Sequence, residues 1–517
     1  MEMEQAPCAA DGITPVSSKE NDLVGVVTPV RAFEQADADP MNRVMELVSG
    51  GSSTYSLMFA TVVIVALHAL LAFGTLTGVL LDSSMVEGLG LSPAQIASGN
   101  SLVFFGWIPG ALVGGPLGDR IGRKPAAIIF SLIASASLCA TGFAPFGSTA
   151  AFQAARFLCG VGIGGFVAPS FTLLVESSDP RRKGRSSVVW TWGYVAGVVI
   201  LCGLHVACSA LGLDWRGEEI LLGAFGFTSA LATQLLVTES PRFLLANGDA
   251  LGAIESARTM ARWNGVDIDA ALAEDDTMVA LREAADACRL EGDGSTSDQQ
   301  TGDSCNALEE DELDWTDLFT RENLPLTLTF GVMEISYNFA FYVIIFSAGS
   351  FSDQVLLNLV LLAAADLPGS TVAGTACDKI GAKRTALSFL AAASATLMSF
   401  AAFEGWAQGA GSEASASFPL ELVPSALSVL GKSLCSGAFT AIFVLFSECY
   451  PVKLRSAALG SGMCFGKLGA SAAAPFAAGF PLAVTLGISG GALLAASAGA
   501  STLPESQPLP PSLDEEA

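Results

Sequence analysis

Gly115-Pro-Leu-Gly-Asp119-Arg-Ile-Gly122-Arg-Lys124 recurs later in the chain as Gly374-Thr-Ala-Cys-Asp378-Lys-Ile-Gly381-Ala-Lys383. Gly, Asp, a basic residue, Ile, Gly and Lys coincide at one internal spacing. A second echo follows each copy. Glu176 precedes Lys183 and Glu448 precedes Arg455 at the same separation, across a Pro-containing turn. Two echoes in corresponding places imply two similar halves. Apolar runs at 57–81, 94–114, 125–145, 149–172, 187–210 and 220–238 surround the first copy. Runs at 324–347, 353–374, 386–403, 421–446, 457–478 and 481–501 surround the second. Most approach or exceed the roughly 20 residues that cross a bilayer. The predicted fold class is an all-α membrane protein with twelve transmembrane helices in two pseudo-symmetric six-helix halves.

Composition agrees with that reading. The chain has 517 residues, 15% charged and 51% hydrophobic, with mean hydropathy +0.53. Soluble chains carry about 25% charged residues, so this one needs the lipid bilayer as solvent. The net charge of -25 gathers in the tail from Glu2 to Glu46, in Asp249–Glu322, and in Asp514–Glu516. No aromatic residues are interleaved with bases there, which argues against a nucleic-acid partner. The 11 Cys are scattered without a CxxC pair, so neither a disulfide framework nor a metal site is expected. Two His, His68 and His205, build no catalytic or metal constellation, and no phosphate-binding GxxxxGK[ST] loop occurs. An enzyme and a bound cofactor are both unexpected. The acidic start MEMEQAPCAADG lacks the apolar core of a signal peptide.

The expected domain plan follows. Residues 1–54 form a disordered acidic tail and 55–246 the first six-helix half. Residues 247–322 form an acidic linker with short amphipathic helices at Ala250–Trp263 and Ala270–Leu290, joined to a flexible GDGSTSDQQTGDS run. Residues 323–502 form the second half, and 503–517 a disordered Pro-rich tail. Basic residues mark one face: Arg120, Arg123 and Lys124, then Arg181–Arg185, Arg242, Lys379–Arg384, and Lys453 with Arg455. The opposite loops hold Arg216 alone. By the positive-inside rule the basic face is cytosolic, with both termini on it.

The motifs are similar to those of a known family. GPLGDRIGRK resembles the signature loop of the major facilitator superfamily, and Arg156 followed by Gly160, Gly162, Gly164 and Gly165 resembles its fourth-helix pattern. Glu239-Ser-Pro-Arg242 and Glu448-Cys-Tyr-Pro-Val-Lys-Leu-Arg455 resemble motifs shared by sugar porters, organic ion transporters and the synaptic-vesicle-glycoprotein-like group. Asp214-Trp-Arg216 and Leu503-Pro-Glu-Ser506 resemble the latter two groups. Sugar porters usually carry a Gln-Gln-Leu-Ser-Gly-type run where this chain has Glu334-Ile-Ser-Tyr337-Asn338, and Lys183 stands where the family usually has Arg. The resemblance implies a secondary transporter of a small organic solute, working as a monomer by alternating access, in a plasma or intracellular vesicle membrane. The alternatives are a sugar or organic cation transporter of the same fold, or a non-transporting receptor or vesicle scaffold. It also implies a gating set: Gly115, Asp119, Arg120, Arg123, Arg156, Glu176, Lys183, Glu239, Arg242, Asp378, Arg384, Glu448 and Arg455. Glu176, Glu239 and Glu448 would pair with Lys183, Arg384 and Arg455 in one state and release in the other. The competing reading is static surface pairing, worth about 0–1 kcal/mol each.

Charges inside apolar runs carry the substrate argument, because they are expensive there. Lys467, Lys432, Glu334 and Asp366 all fall well inside predicted spans, and His68 lies in the first. Lys467 occupies the place where organic cation transporters have Asp and organic anion transporters Arg; that resemblance implies an anionic or zwitterionic substrate. Equally, Lys467 or Lys432 could pair internally with Glu334 or Asp366. Tyr337, Tyr342, Trp190, Trp192 and Tyr194 are candidates to line a cavity, or else pack between helices. Asp366 and His68 are the candidates for a coupling proton.

Overall fold

The computed structural model describes residues 40–49, 54–59, 63, 65–80, 82–177, 183–268, 318–321, 323–350, 354–410, 422–450 and 452–503. Among them the chain is helical and forms no strand. The first half runs α1 (Pro40–Ser49), α2 (Thr54–Phe59), α3 (Val65–Leu80), α4 (Asp82–Leu89), α5 (Pro93–Ile121), α6 (Arg123–Gly142), α7 (Thr149–Glu176), α8 (Lys183–Ala210) and α9 (Trp215–Leu236). Two short helices follow, α10 (Pro241–Ala246) and α11 (Ala250–Asn264). The second half runs α12 (Leu324–Phe346), α13 (Val355–Ala364), α14 (Asp366–Ile380), α15 (Ala382–Ala410), α16 (Val423–Cys449), α17 (Val452–Gly479) and α18 (Leu482–Ser501).

Caps set several of these starts. Ser92 opens α5 with a reciprocal capping box: its hydroxyl accepts from Gln95 N, and its own N–H donates to Gln95 Oε1 at 2.8 Å. Asp214 caps α9 and Ser240 caps α10 in the same way, each by accepting a backbone N–H three residues on. Ten spans among the described residues are long and apolar enough to cross a membrane, α13 and α14 together making one. Helices α3 and α17 occupy the two remaining places of the twelve.

Packing repeats as the sequence does. Helix α7 lies against α5 and α6, and α6 against α9; likewise α16 lies against α14 and α15, and α15 against α18. The pair α3–α8 is matched by α12–α17. Between the halves, α17 packs on α5, and α13 and α14 pack on α8.

Glycine makes these crossings tight. A Cβ at Gly106, Gly110 or Gly114 of α5 would lie 2.0, 2.2 and 2.3 Å from the carbonyl oxygens of Phe157, Val161 and Gly165 on α7. Reciprocally, a Cβ at Gly160 or Gly164 would lie 1.9 and 2.2 Å from those of Val103 and Trp107. The fourth-helix glycines are thus packing residues, letting backbones touch as small residues do in membrane bundles. In the duplicated motif the glycine with a strict requirement is the last one. Gly122 (φ +108) and Gly381 (φ +88) turn α5 into α6 and α14 into α15, in backbone space that side-chain-bearing residues avoid. Gly115 is less constrained: a Cβ there would make ordinary contact with Ala168 at 4.0 Å.

Two expectations change. The span 353–374 is broken, because Pro368 has no N–H to donate to Ala364, so α13 stops there and α14 restarts at Asp366. The acidic tail 1–54 is helical over Pro40–Ser49, where Met41, Val44, Met45 and Val48 are buried on one face. Its acid count hid that stripe. Helix α1 docks on α11, with Asn264 Nδ2 donating to Val48 O at 2.9 Å and Tyr55 N donating to Asn264 Oδ1 at 2.8 Å. Ala270–Leu290, the GDGSTSDQQTGDS run and the tail beyond Leu503 lie outside the described residues.

Gly160→Val should therefore destabilise the purified protein by about 3 kcal/mol or more, since the backbone it meets cannot step aside. Gly374→Ala, in open space within the motif, should be neutral or stabilising by about 0.5–1 kcal/mol. Thermal unfolding in detergent checks both; equal melting temperatures would refute the packing account.

Candidate functional site

Where the halves meet, a cavity of about 150 Å³ is lined by Trp107 of α5, Tyr194 of α8, Glu334, Tyr337, Asn338, Phe341 and Tyr342 of α12, Asp366 of α14, and Lys467 of α17, with Phe439 and Phe443 of α16. Glycine crossings deliver the charges to it. A Cβ at Gly469 would lie 2.1 Å from Ile335 O, and one at Gly466 would lie 2.3 Å from Asn338 Nδ2 and 2.9 Å from Glu334 Oε2. Helix α17 therefore crosses α12 beside Glu334 and brings Lys467 to the wall. A Cβ at Gly369 would lie 1.9 Å from Ser433 O, so α14 crosses α16 where Asp366 meets Lys432.

The second crossing is electrostatically closed. Lys432 is fully buried, donates to Asp366 Oδ1 and Oδ2 at 2.6 and 2.7 Å, and sits 3.5 Å over the Phe341 ring. Ser436 donates to Asp366 O and shares a hydrogen bond with Ser370. The alternatives left open by the sequence resolve here: Lys432 pairs with Asp366. The first crossing stays open. Lys467 has no carboxylate within ion-pair distance among the described residues; its ammonium lies 4.0 Å over Trp107 and 5.7 Å over Tyr342. Glu334, 2% exposed, accepts from Asn338 Nδ2 at 3.1 Å through Oε2, while its Oε1 has no hydrogen-bond partner among the described residues.

Tyr337 and Tyr342 line the cavity. Trp192 does not: it is 61% exposed. Two residues turn a helix by about 200°, so with Tyr194 on the cavity side Trp192 faces away. The side chains of Trp190 and His68 lie outside the described residues. Residues unmarked in the sequence reading include Trp107, Asn338 and Glu219. Arg156 is fully buried and donates to Glu219 Oε1 at 3.2 Å and to Gly74 O at 3.3 Å. Nearby, His205 Nδ1 lies 3.0 Å from Glu218 Oε2. Helix α9 begins at Trp215, before Ile220, so these two acids belong to a helix; the Asp214 cap signalled that start.

The basic end of the first half is a separate cluster. Arg123 reaches Asp119 at 2.8 Å, Glu176 at 3.6 Å, Gly118 O at 2.9 Å and the Phe243 ring at 4.9 Å. Glu176 thus faces Arg123, because Gly122 turns the first residue of α6 toward the end of α7. Glu239 accepts the Lys124 N–H at 3.2 Å, capping α6 where the helix end is positive. Burial raises the Glu239 carboxyl above its ordinary value, against the lowering effect of those backbone bonds. Among the described residues, these partners of Arg123 and Glu239 belong to the first half. Arg120 is exposed and Arg242 half-buried. Arg384 is exposed on the second half. The side chains of Lys183, Asp378, Glu448 and Arg455 lie outside the described residues.

A helical repeat, glycine seams and a charged cavity between the halves define a polytopic membrane protein of the two-half carrier architecture. The family model described as Major Facilitator Superfamily matches residues 62–474, and the chain belongs to that family. It is 25% identical over 341 residues to mouse (Mus musculus) "Organic anion transporter 3", a match covering 65% of this chain and 56% of that protein. It is 25% identical over 334 residues to "Organic cation/carnitine transporter 4" of Arabidopsis thaliana, covering 64% of this chain and 56% of that one. The chain thus spans little more than half the length of these curated relatives. Among solved structures, the proton:xylose symporter XylE bound to a bromodeoxyglucose superposes with TM-score 0.60 at 18% identity, covering 88% of this chain and 97% of that one. That likeness shows the fold.

Removing one partner of a buried pair leaves the other charge stranded. Asp366→Asn or Lys432→Met should each destabilise the protein by about 3–5 kcal/mol, and the double variant should recover most of the loss. Chemical denaturation of the three variants checks this; additive losses would show that the two groups do not act as a pair.

Proposed function

We propose that the protein is a secondary transporter of a small organic solute, an organic anion or zwitterion, working as a monomer by alternating access of its two halves. One observation carries the reading: Lys467 presents an ammonium, with no ion-pair partner among the described residues, to a cavity walled by aromatic rings between the halves. A cation there attracts an anion, and the rings accept a flat apolar body. A receptor or scaffold has no use for ionisable groups inside a membrane. The relatives, an organic anion transporter and an organic cation/carnitine transporter, support a charged organic solute. XylE binds a sugar; Lys467 and the seven aromatic residues lining this cavity favour a charged, flat solute instead.

Asp366 is the proposed site of a coupling proton, since protonating it frees Lys432 from its partner. The basic loops support a cytosolic side for both termini. In this reading the Arg123 cluster braces the first half as a rigid body rather than latching it to the second.

In proteoliposomes, Lys467→Ala should abolish uptake of aromatic organic anions while leaving the melting temperature within a few degrees of wild type; undiminished uptake would remove the role of Lys467. External acidification should accelerate uptake by the wild type and leave Asp366→Asn unaffected. Parallel pH profiles would exclude Asp366 as the proton carrier.

A further inference from the structure

The polar atoms in the cavity that lack partners describe the ligand that would satisfy them. Trp107 and Glu334 are 4% and 2% exposed and both line the cavity. Among the described residues the Trp107 indole N–H and Glu334 Oε1 each lack a hydrogen-bond partner. Buried polar groups are almost always satisfied, so an orphan in a binding cavity points to a missing ligand atom. Here there are two donors, the Lys467 ammonium and the Trp107 N–H, lying together at 4.0 Å from cation to ring. There is one acceptor, on Glu334, held in place by Asn338 and by the close passage of Gly466.

Charge points the same way. Glu334 and Asp366 oppose Lys432 and Lys467, and with all four ionised the group sums to zero. A lone monoanion would leave the buried cluster with net negative charge beside Glu334, which is costly at low dielectric. A ligand that brings its own cation leaves the sum unchanged. Tyr337, Phe341 and Phe439 supply an apolar wall, with Tyr337 and Phe439 rings 5.5 Å apart. A volume of about 150 Å³ is enough for one benzene-sized ring against that wall.

Resting on the transporter reading, we infer that the solute is a single-ring aromatic amino acid or close analogue. Its carboxylate is taken by Lys467 and the Trp107 N–H, its neighbouring ammonium by Glu334 Oε1, and its ring by the Tyr337, Phe341 and Phe439 wall. Lys432 and Asp366 are already joined and take no direct part. Glu334 is then the residue that separates amino acids from plain organic acids.

Four probes share one skeleton: phenylalanine, phenyllactate, 3-phenylpropionate and phenethylamine. Their binding to the purified full-length protein should be measured by calorimetry, for wild type, Glu334→Gln and Lys467→Ala. Phenylalanine should bind at least roughly tenfold more tightly than 3-phenylpropionate, as an unpaired buried acceptor demands, with phenyllactate between them. Glu334→Gln should weaken phenylalanine at least roughly tenfold and leave 3-phenylpropionate unchanged or tighter. A misfolded variant would weaken both, so this reversal is not mimicked by damage. If 3-phenylpropionate binds as well as phenylalanine and Lys467→Ala abolishes both, the inference falls and the anion reading stands. If phenethylamine binds best, or none of the four binds, both are overturned.

Discussion

Two helix backbones can touch where at least one of them carries no side chain at the crossing, and that constraint positions the charged groups of this protein's cavity. Lipid gives helices little hydrophobic reason to associate, so close van der Waals contact has to do it. In the first half, Gly106, Gly110 and Gly114 interlock with Gly160, Gly164 and Gly165. In the second, Gly369 meets the Ser433 backbone and Gly469 meets that of Ile335. The functional side chains are neighbours of these contacts in sequence. Trp107 follows Gly106, Lys432 precedes Ser433, and Lys467 follows Gly466. A side chain beside a fixed crossing has little freedom in where it points, so the seams that hold the bundle together also aim the cavity.

Three buried charge arrangements then behave differently because their partners differ. Arg156 reaches Glu219 and a carbonyl on α3, and Lys432 clasps both oxygens of Asp366. Each joins helices of one half, so it stiffens that half as a body. Glu334 and Lys467 also share one half, yet they stand apart, and the ring over which Lys467 lies belongs to the other half. A cation held by an aromatic face across the interface, rather than by a carboxylate within its own half, is coupled to the relative position of the halves. Movement of one half against the other changes the surroundings of Lys467 directly, while Arg156 and Glu219 lie within one half.

Much of this was legible in the residues. The repeated loop motif announced two halves, apolar runs located the helices, and charges inside those runs named Lys467, Lys432, Glu334 and Asp366. What could not be read was partner choice. Lys432 and Asp366 are brought together by the Gly369 crossing, and no sequence spacing reveals which of two acids a lysine meets across helices. Helix phase was equally hidden: Trp192 and Tyr194 look alike in the α8 run, and only the rotation of the helix sends one outward and the other to the cavity. Trp107 passed as an ordinary aromatic in an apolar run. Acid counting concealed the stripe of α1, and the apolar run 220–238 started short of the Asp214 cap that opens α9.

A carrier of the proposed kind must be able to stand empty, and an empty site in a membrane is costly in proportion to its uncompensated charge. Two acids and two bases in one cluster let the apo cavity sit near zero net charge. The same condition bears on the loaded state. If reorientation is to be easy both with and without solute, the two states should differ little in buried charge, since a net charge added by the ligand raises the barrier for one leg of the cycle only. A solute that arrives neutral, or an anion that arrives with a proton, meets that condition; a bare anion does not. A lysine without a carboxylate partner and a carboxylate oxygen without a donor, among the described residues, are the structural form of that requirement in the proposed cycle.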